Sequence, residues 1–120
     1  MSSFVNRVII SGVITRKNKF TPASGIEAMF LHISHYHVEE RVTRYYTVYI
    51  PARLCAFVDA VFSKGDYVFI EGSLRYYKRN INELEQVNEY FIRCEFIAGR
   101  DGRHSSFAYM VNKYSNKYIK

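Results

Sequence analysis

A chain of 120 residues has room for one domain and little for a second core. At 48% hydrophobic residues it is not too polar to fold, and no apolar run approaches the ~20 residues of a membrane span. Lys and Arg number 17 against 11 Asp and Glu; the net charge of +6 favours polyanionic partners, because each neutralised phosphate releases counterions. Eleven Tyr and nine Phe with no Trp give more aromatic surface than a small core needs. Cys55 and Cys94 stand far apart with no C-x-x-C pair, so neither a disulfide framework nor a zinc site is indicated. Both read as small buried apolar groups. The first residues lack a basic stretch followed by a long apolar run, so the reading is a soluble, unexported, cytoplasmic protein.

In chain order, Phe4 to Thr15 is rich in β-branched residues and reads as a first strand, with Gly12 as a bend or bulge. Arg16 to Gly25 holds Lys17, Lys19, Pro22 and Gly25 and reads as a basic loop. Ile26 to His37 is a second strand, with Met29, Leu31 and Ile33 on one face and Phe30, His32, Ser34 and Tyr36 on the other. After a polar turn at Val38-Glu39-Glu40, Arg41 to Ile50 is a third strand. Tyr46, Val48 and Ile50 share its core face; Tyr45, Thr47 and Tyr49 share the other. Pro51 ends it.

Ala52 to Phe62 repeats Leu54, Phe57, Val58 and Val61 at helical spacing. A turn at Ser63-Lys64-Gly65-Asp66 leads into a fourth strand, Tyr67 to Leu74, with Val68, Ile70 and Leu74 inward. Arg75 to Asn88 is a polar excursion ending in a hairpin tip, and Glu89 to Ala98 is a fifth strand. Beyond Gly99 the apolar alternation fades and basic residues prevail. Residues 1–99 therefore form the predicted domain and 100–120 a basic tail or arm. Three strands, a helix and two strands predict an all-β, five-stranded OB-fold barrel.

Such a barrel offers its second and third strands, with the first-to-second and fourth-to-fifth loops, as a groove for oligonucleotides. Phe30, His32 and Tyr36 face outward on strand two, and Tyr45, Thr47 and Tyr49 on strand three. Flat rings there stack on bases at about 1–3 kcal/mol per base. Arg16, Lys17 and Lys19 in the first loop, Arg44 on strand three, and Arg75, Lys78 and Arg79 in the second loop supply phosphate contacts. Tyr76 and Tyr77 beside Lys78 and Arg79 place adjacent rings and charges where no core needs them. His32, His35 and His37 invite a metal reading, but only His35 and His37 share a strand face, and no cysteine or carboxylate completes a site. With no phosphate loop, nucleophile elbow or paired-carboxylate motif, the expectation is a binding protein without cofactor rather than an enzyme.

Asn6-Arg7-Val8-Ile9-Ile10-Ser11-Gly12 resembles the opening strand of bacterial single-stranded-DNA-binding proteins and of the PriB (primosomal replication protein N) family. Ser24-Gly25-Ile26, Leu31 and Ile33, Val38-Glu39-Glu40, Arg44, Ile50-Pro51, and Gly65 through Gly72 followed by Leu74 are similar to PriB in particular. The likeness runs over residues 5 to 99. It implies a homodimer of OB folds that binds single-stranded DNA in replication restart, with the helicase PriA, DnaT and single-stranded-DNA-binding protein as partners. The family's strand-three Trp falls on Thr47, flanked by Tyr45 and Tyr49, and its basic second loop falls on Tyr76 through Arg79. The basic ending Asn116-Lys117-Tyr118-Ile119-Lys120 differs from the acidic tip of the principal bacterial single-stranded-DNA-binding proteins. Two other readings fit the pattern: a general single-stranded-DNA-binding protein of plasmid, phage or organellar type, tetrameric and without the acidic tip, and an OB-fold module whose Tyr-rich sheet binds protein.

Overall fold

A computed structural model describes residues 4–100, 104–107 and 109. Its elements are β1 (Val8–Phe20), β2 (Ala28–His37), β3 (Val42–Ile50), α1 (Ala52–Val61), β4 (Tyr67–Asn80) and β5 (Gln86–Gly99). The strands close into a barrel in the order β1-β2-β3-β5-β4, with every contact antiparallel except the seam between β3 and β5. Closure is completed at a short seam, Val48 beside Ile92 and Tyr49 beside Arg93, and a closed sheet suits so short a chain.

One strand serves two neighbours. β1 pairs with β4 from Val8 to Val13 and with β2 from Val13 to Phe20, turning a corner at a bulge where Thr15 is skipped in the register. Thr15 Oγ1 donates to the His32 carbonyl at 3.0 Å, which ties the bulge to β2. The expected irregularity at Gly12 thus falls three residues later. Gly12 has a different duty: a Cβ there would run into the Ser34 carbonyl, so only glycine permits this approach of β1 to β2.

The alternation expected of β2 and β3 puts Met29, Leu31, Ile33, Val48 and Ile50 in the core, all without exposure to solvent. Val68, Ile70, Ile92, Cys94 and Ile97 complete its walls. α1 begins directly after Pro51, whose extended backbone stops β3, and Leu54, Phe57 and Val58 close one end of the barrel. Its last carbonyls are met by a cation from β1: Lys17 Nζ donates to the Asp59 and Phe62 carbonyl oxygens at 3.2 and 2.8 Å. Positive charge at this end also interacts favourably with the negative end of the helix dipole.

Several expected boundaries move. β1 starts at Val8 rather than Phe4 and runs on to Phe20, so Arg16, Lys17 and Lys19 lie on a strand and not in a loop. β4 and β5 continue to Asn80 and from Gln86, turning the expected polar excursion into a two-stranded arm with a tip at residues 81–85. In the arm the strands leave the barrel and polar residues erase the alternation that marks a half-buried strand, while in β1 Lys17 and Asn18 are polar residues half-buried against partners other than the core. Leu74, expected inward, keeps the inward phase but is 46% exposed because β4 leaves the core there. Its backbone is held by Asn6, whose side chain accepts from Leu74 N at 2.7 Å and donates to Leu74 O at 2.8 Å. At the tip, Asn82 Oδ1 accepts from Leu84 N and Glu85 N, a local turn that reverses the chain.

Part of the predicted basic tail returns to the barrel. Gly99 N donates to the His104 carbonyl at 2.8 Å and Ile97 N to Ser106 Oγ at 2.9 Å, while Tyr109 stacks on Phe57 with ring centroids 4.9 Å apart. Arg103, Lys113, Lys117 and Lys120 lie outside the described residues.

Candidate nucleic-acid interface

Strand register sets side chains on the outward face in rows. Asn18 of β1 stands beside Phe30 of β2, Phe30 beside Tyr49 of β3, and Tyr49 beside Arg93 of β5. In the next row Arg16 stands beside His32 and His32 beside Thr47. Rings from all five strands meet here. Phe20 stacks on Phe30 at 5.0 Å with planes 15° apart, and Phe30 meets Tyr49 at 5.6 Å and Phe91 at 6.3 Å. Tyr77, from the arm, reaches Phe91 at 6.2 Å. These separations are those of favourable aromatic pairs, so the cluster is held in place before anything binds.

Two clefts open on this cluster. One, of about 370 Å³, is lined by Phe30, Tyr49, Tyr76, Tyr77 and Phe91 with Arg75 and Arg93. The other, of about 220 Å³, is lined by Phe30, Tyr77, Tyr90 and Phe91 with Asn18, His32, Thr47 and Glu89. Arg75 donates to Ser73 Oγ at 3.0 Å and Arg93 to Glu95 at 2.6 Å, which holds both guanidinium groups along the β4–β5 side. His32 has its pKa lowered, chiefly by burial and then by the Arg16 charge, so its imidazole stays neutral near neutral pH and offers both a donor and an acceptor.

Of the residues singled out from sequence, Phe30, His32, Thr47, Tyr49, Arg75, Tyr76 and Tyr77 line these clefts, and Arg16 flanks them next to His32. Tyr45 lies one row beyond on the same face of β3 and is 70% exposed. Lys78 and Arg79 sit farther out on the arm, Arg79 in an ion pair with Glu89 at 2.7 Å. Four residues are not brought to the cluster. Lys17 and Lys19 stand opposite the core-facing Leu31 and Met29, so they point to the other side of β1 and bind Asp59 at 3.1 Å each. Their hydrogen bonds, Lys19 first, hold the Asp59 carboxyl below its usual range. Arg44 shares the phase of Tyr46 rather than of Tyr45 and pairs with Glu40 at 2.7 Å. Tyr36, 54% exposed at the far end of β2, borders a separate hollow with His35, His37, Glu39 and Glu40.

The sequence reading missed Asn18, Phe20, Tyr90, Phe91 and Arg93. For Phe91 and Arg93 the signal was present: Ile92 and Cys94 alternate inward, which sends their neighbours outward. Asn18 and Phe20 were concealed by taking their segment as a loop.

No family model matches this chain, and no curated protein matches it either. Solved structures do. A single-stranded-DNA-binding protein of Plasmodium falciparum, in complex with single-stranded DNA, superposes with a TM-score of 0.64 at 14% identity, over 78% of this chain and 89% of that one. The mitochondrial single-stranded-DNA-binding protein of S. cerevisiae gives 0.66 at 16%, over 78% and 93%. A small single-stranded-DNA-binding protein from Streptomyces coelicolor gives 0.57 at 18%, over 78% and 92%. The fold is the OB fold. In an OB fold the face of strands two and three, bordered by the loops after strands one and four, is where oligonucleotides lie. The ring cluster, Arg16 and the β4–β5 arm occupy that face here.

Proposed function

We propose that this protein binds single-stranded DNA along the outward face of β2 and β3, without catalysis. The observation that carries this is the connected cluster Phe20, Phe30, Tyr49, Phe91 and Tyr77 on the OB-fold groove, flanked by Arg16, Arg75 and Arg93. Partly exposed rings on a pre-formed platform stack with bases of any identity, and guanidinium groups beside them follow the phosphates. The structural likeness to three single-stranded-DNA-binding proteins supports the same reading.

Within that role we place the chain in replication restart, as a homodimeric, PriB-like cytoplasmic component with PriA, DnaT and single-stranded-DNA-binding protein as partners. The segments Asn6 to Gly12 and Gly65 to Gly72 support it. Capture of PriA by the purified protein, with a dimer mass in solution, distinguishes this role from that of a general, tetrameric single-stranded-DNA-binding protein.

The primary test is a fluorescence-anisotropy titration of labelled oligo-dT at two salt concentrations. The expected result is tight binding that weakens as salt rises, and marked loss in a Tyr76→Ala/Lys78→Ala/Arg79→Ala variant of the arm. No binding at low salt would refute the proposal and favour a protein-binding module.

A further inference from the structure

The two clefts on the groove differ in chemistry. The larger carries Arg75 and Arg93 and no carboxylate, so it accommodates phosphate alongside stacked bases. The smaller carries an amide, an imidazole, a hydroxyl and a carboxylate, from Asn18, His32, Thr47 and Glu89, among the rings of Phe30, Tyr77, Tyr90 and Phe91. The lining offers no Lys or Arg for a phosphate, whereas the edge of a nucleobase matches this set of donors and acceptors. All five strands contribute to the lining, which makes the recess a feature of the whole barrel rather than of one loop.

Its size follows from one residue. Thr47 is the β3 residue that lines the recess, where it stands beside His32 and opposite the rings of Tyr77 and Phe91, and its short side chain leaves the space open. At about 220 Å³ the hollow is smaller than the ~300 Å³ at which pockets for drug-sized ligands begin. A single base fits such a volume. Glu89 then sets which base. Arg79 makes both of its contacts to Oε1, at 2.8 Å through Nε and 2.7 Å through a terminal nitrogen, leaving Oε2 to accept from a ligand. A carboxylate oxygen only accepts, so it takes an exocyclic amino group such as N4 of cytosine. Thymine offers a carbonyl at that position, which the carboxylate repels.

We infer that this recess is a single-base pocket, which takes one nucleobase bearing an amino group out of the stacked strand and discriminates against thymine through Glu89. The inference rests on the groove being a single-strand site.

The test uses an oligo-dT strand and the same strand with one central thymine replaced by cytosine, a change that keeps ring size and alters the edge alone. Binding by anisotropy is expected to be about three- to tenfold tighter for the cytosine-bearing strand, the range of one added hydrogen bond. Glu89→Gln, on the exposed arm, is expected to erase that preference, since an amide can satisfy either base. Thr47→Trp, which fills the recess, is expected to erase it too; its fold is checked by circular dichroism. Equal affinity of the unaltered protein for both strands overturns the pocket and leaves the single-strand grip standing. A preference that survives Glu89→Gln also overturns it. Failure to bind either strand at low salt overturns the grip itself, and the pocket with it.

Discussion

Replacing Phe91 by alanine isolates ring stacking from charge. Phe91 touches Phe30, Tyr49 and Tyr77 at centroid distances of 6.3, 6.1 and 6.2 Å, so it is the ring that joins the barrel face to the arm. Losing one stacked base costs about 1–3 kcal/mol. At about 1.4 kcal/mol per tenfold, affinity for oligo-dT is expected to fall about 5- to 140-fold. The ring is only partly buried, so the stability loss is expected to stay below the ~3–5 kcal/mol of a core Phe→Ala, and thermal unfolding monitored by circular dichroism checks that the fold survives. No charge is removed, so the slope of log K against log salt is expected to stay unchanged, whereas each lost phosphate contact lowers it by about 0.7. Affinity within twofold of the unaltered protein, in a folded variant, would refute the assignment of Phe91 to the groove. A slope shift of the size of a lost phosphate contact would refute the stacking mechanism.

Other outcomes follow from the same geometry. Arg16→Ala is expected to lower the salt slope by about 0.7, while Lys17→Ala, on the opposite side of β1, leaves it unchanged and costs at most about 1 kcal/mol of stability; equal effects on the slope would contradict the faces assigned to β1. Gly12→Ala drives a methyl group into the Ser34 carbonyl, where hydrogen-bonded strands cannot yield, and is expected to cost about 1–3 kcal/mol. Calorimetry would then record a fall in Tm of about 4 °C or more. Burial pushes the Cys94 thiol up to about 12, so its thiolate fraction near pH 8 is roughly a thousandfold below that of an exposed thiol. Alkylation followed by mass spectrometry is expected to spare Cys94 in the folded protein and modify it once denatured, and rapid native labelling would contradict the core placement.

The barrel was legible where one strand face meets core and the other meets water. Met29, Leu31 and Ile33, and Val48 and Ile50, alternate with polar or aromatic neighbours, and this periodicity placed β2, β3 and their outward rings correctly. It vanished where a strand projects beyond the core. Arg16 to Phe20 and Arg75 to Asn80 are strands by hydrogen bonding, yet the polar residues of the first pack on α1 and the ring cluster rather than the core, the second lies in solvent, and both compositions match a loop. The consequence for the site was uneven. Treating Arg16, Lys17 and Lys19 as one basic loop merged residues that a strand separates, since only Arg16 lies on the groove side and the two lysines serve α1 and Asp59. Phe91 and Arg93 were within reach of the alternation rule applied to β5. The bulge at Thr15 left no such mark, because it is defined by pairing between segments and not by composition.

The strand order also governs how the chain reaches this state. The antiparallel pairs β1–β2, β2–β3 and β4–β5 join neighbours in sequence and form early at small entropic cost. The two seams that shut the barrel, β1 with β4 and β3 with β5, join segments on either side of α1 and must wait for both halves. Only at the second seam do Phe91 and Arg93 arrive beside Tyr49 and Phe30. Refolding is therefore expected in milliseconds to seconds, the pace of topologies built on distant contacts, with the ring cluster complete only once the β3–β5 seam has closed.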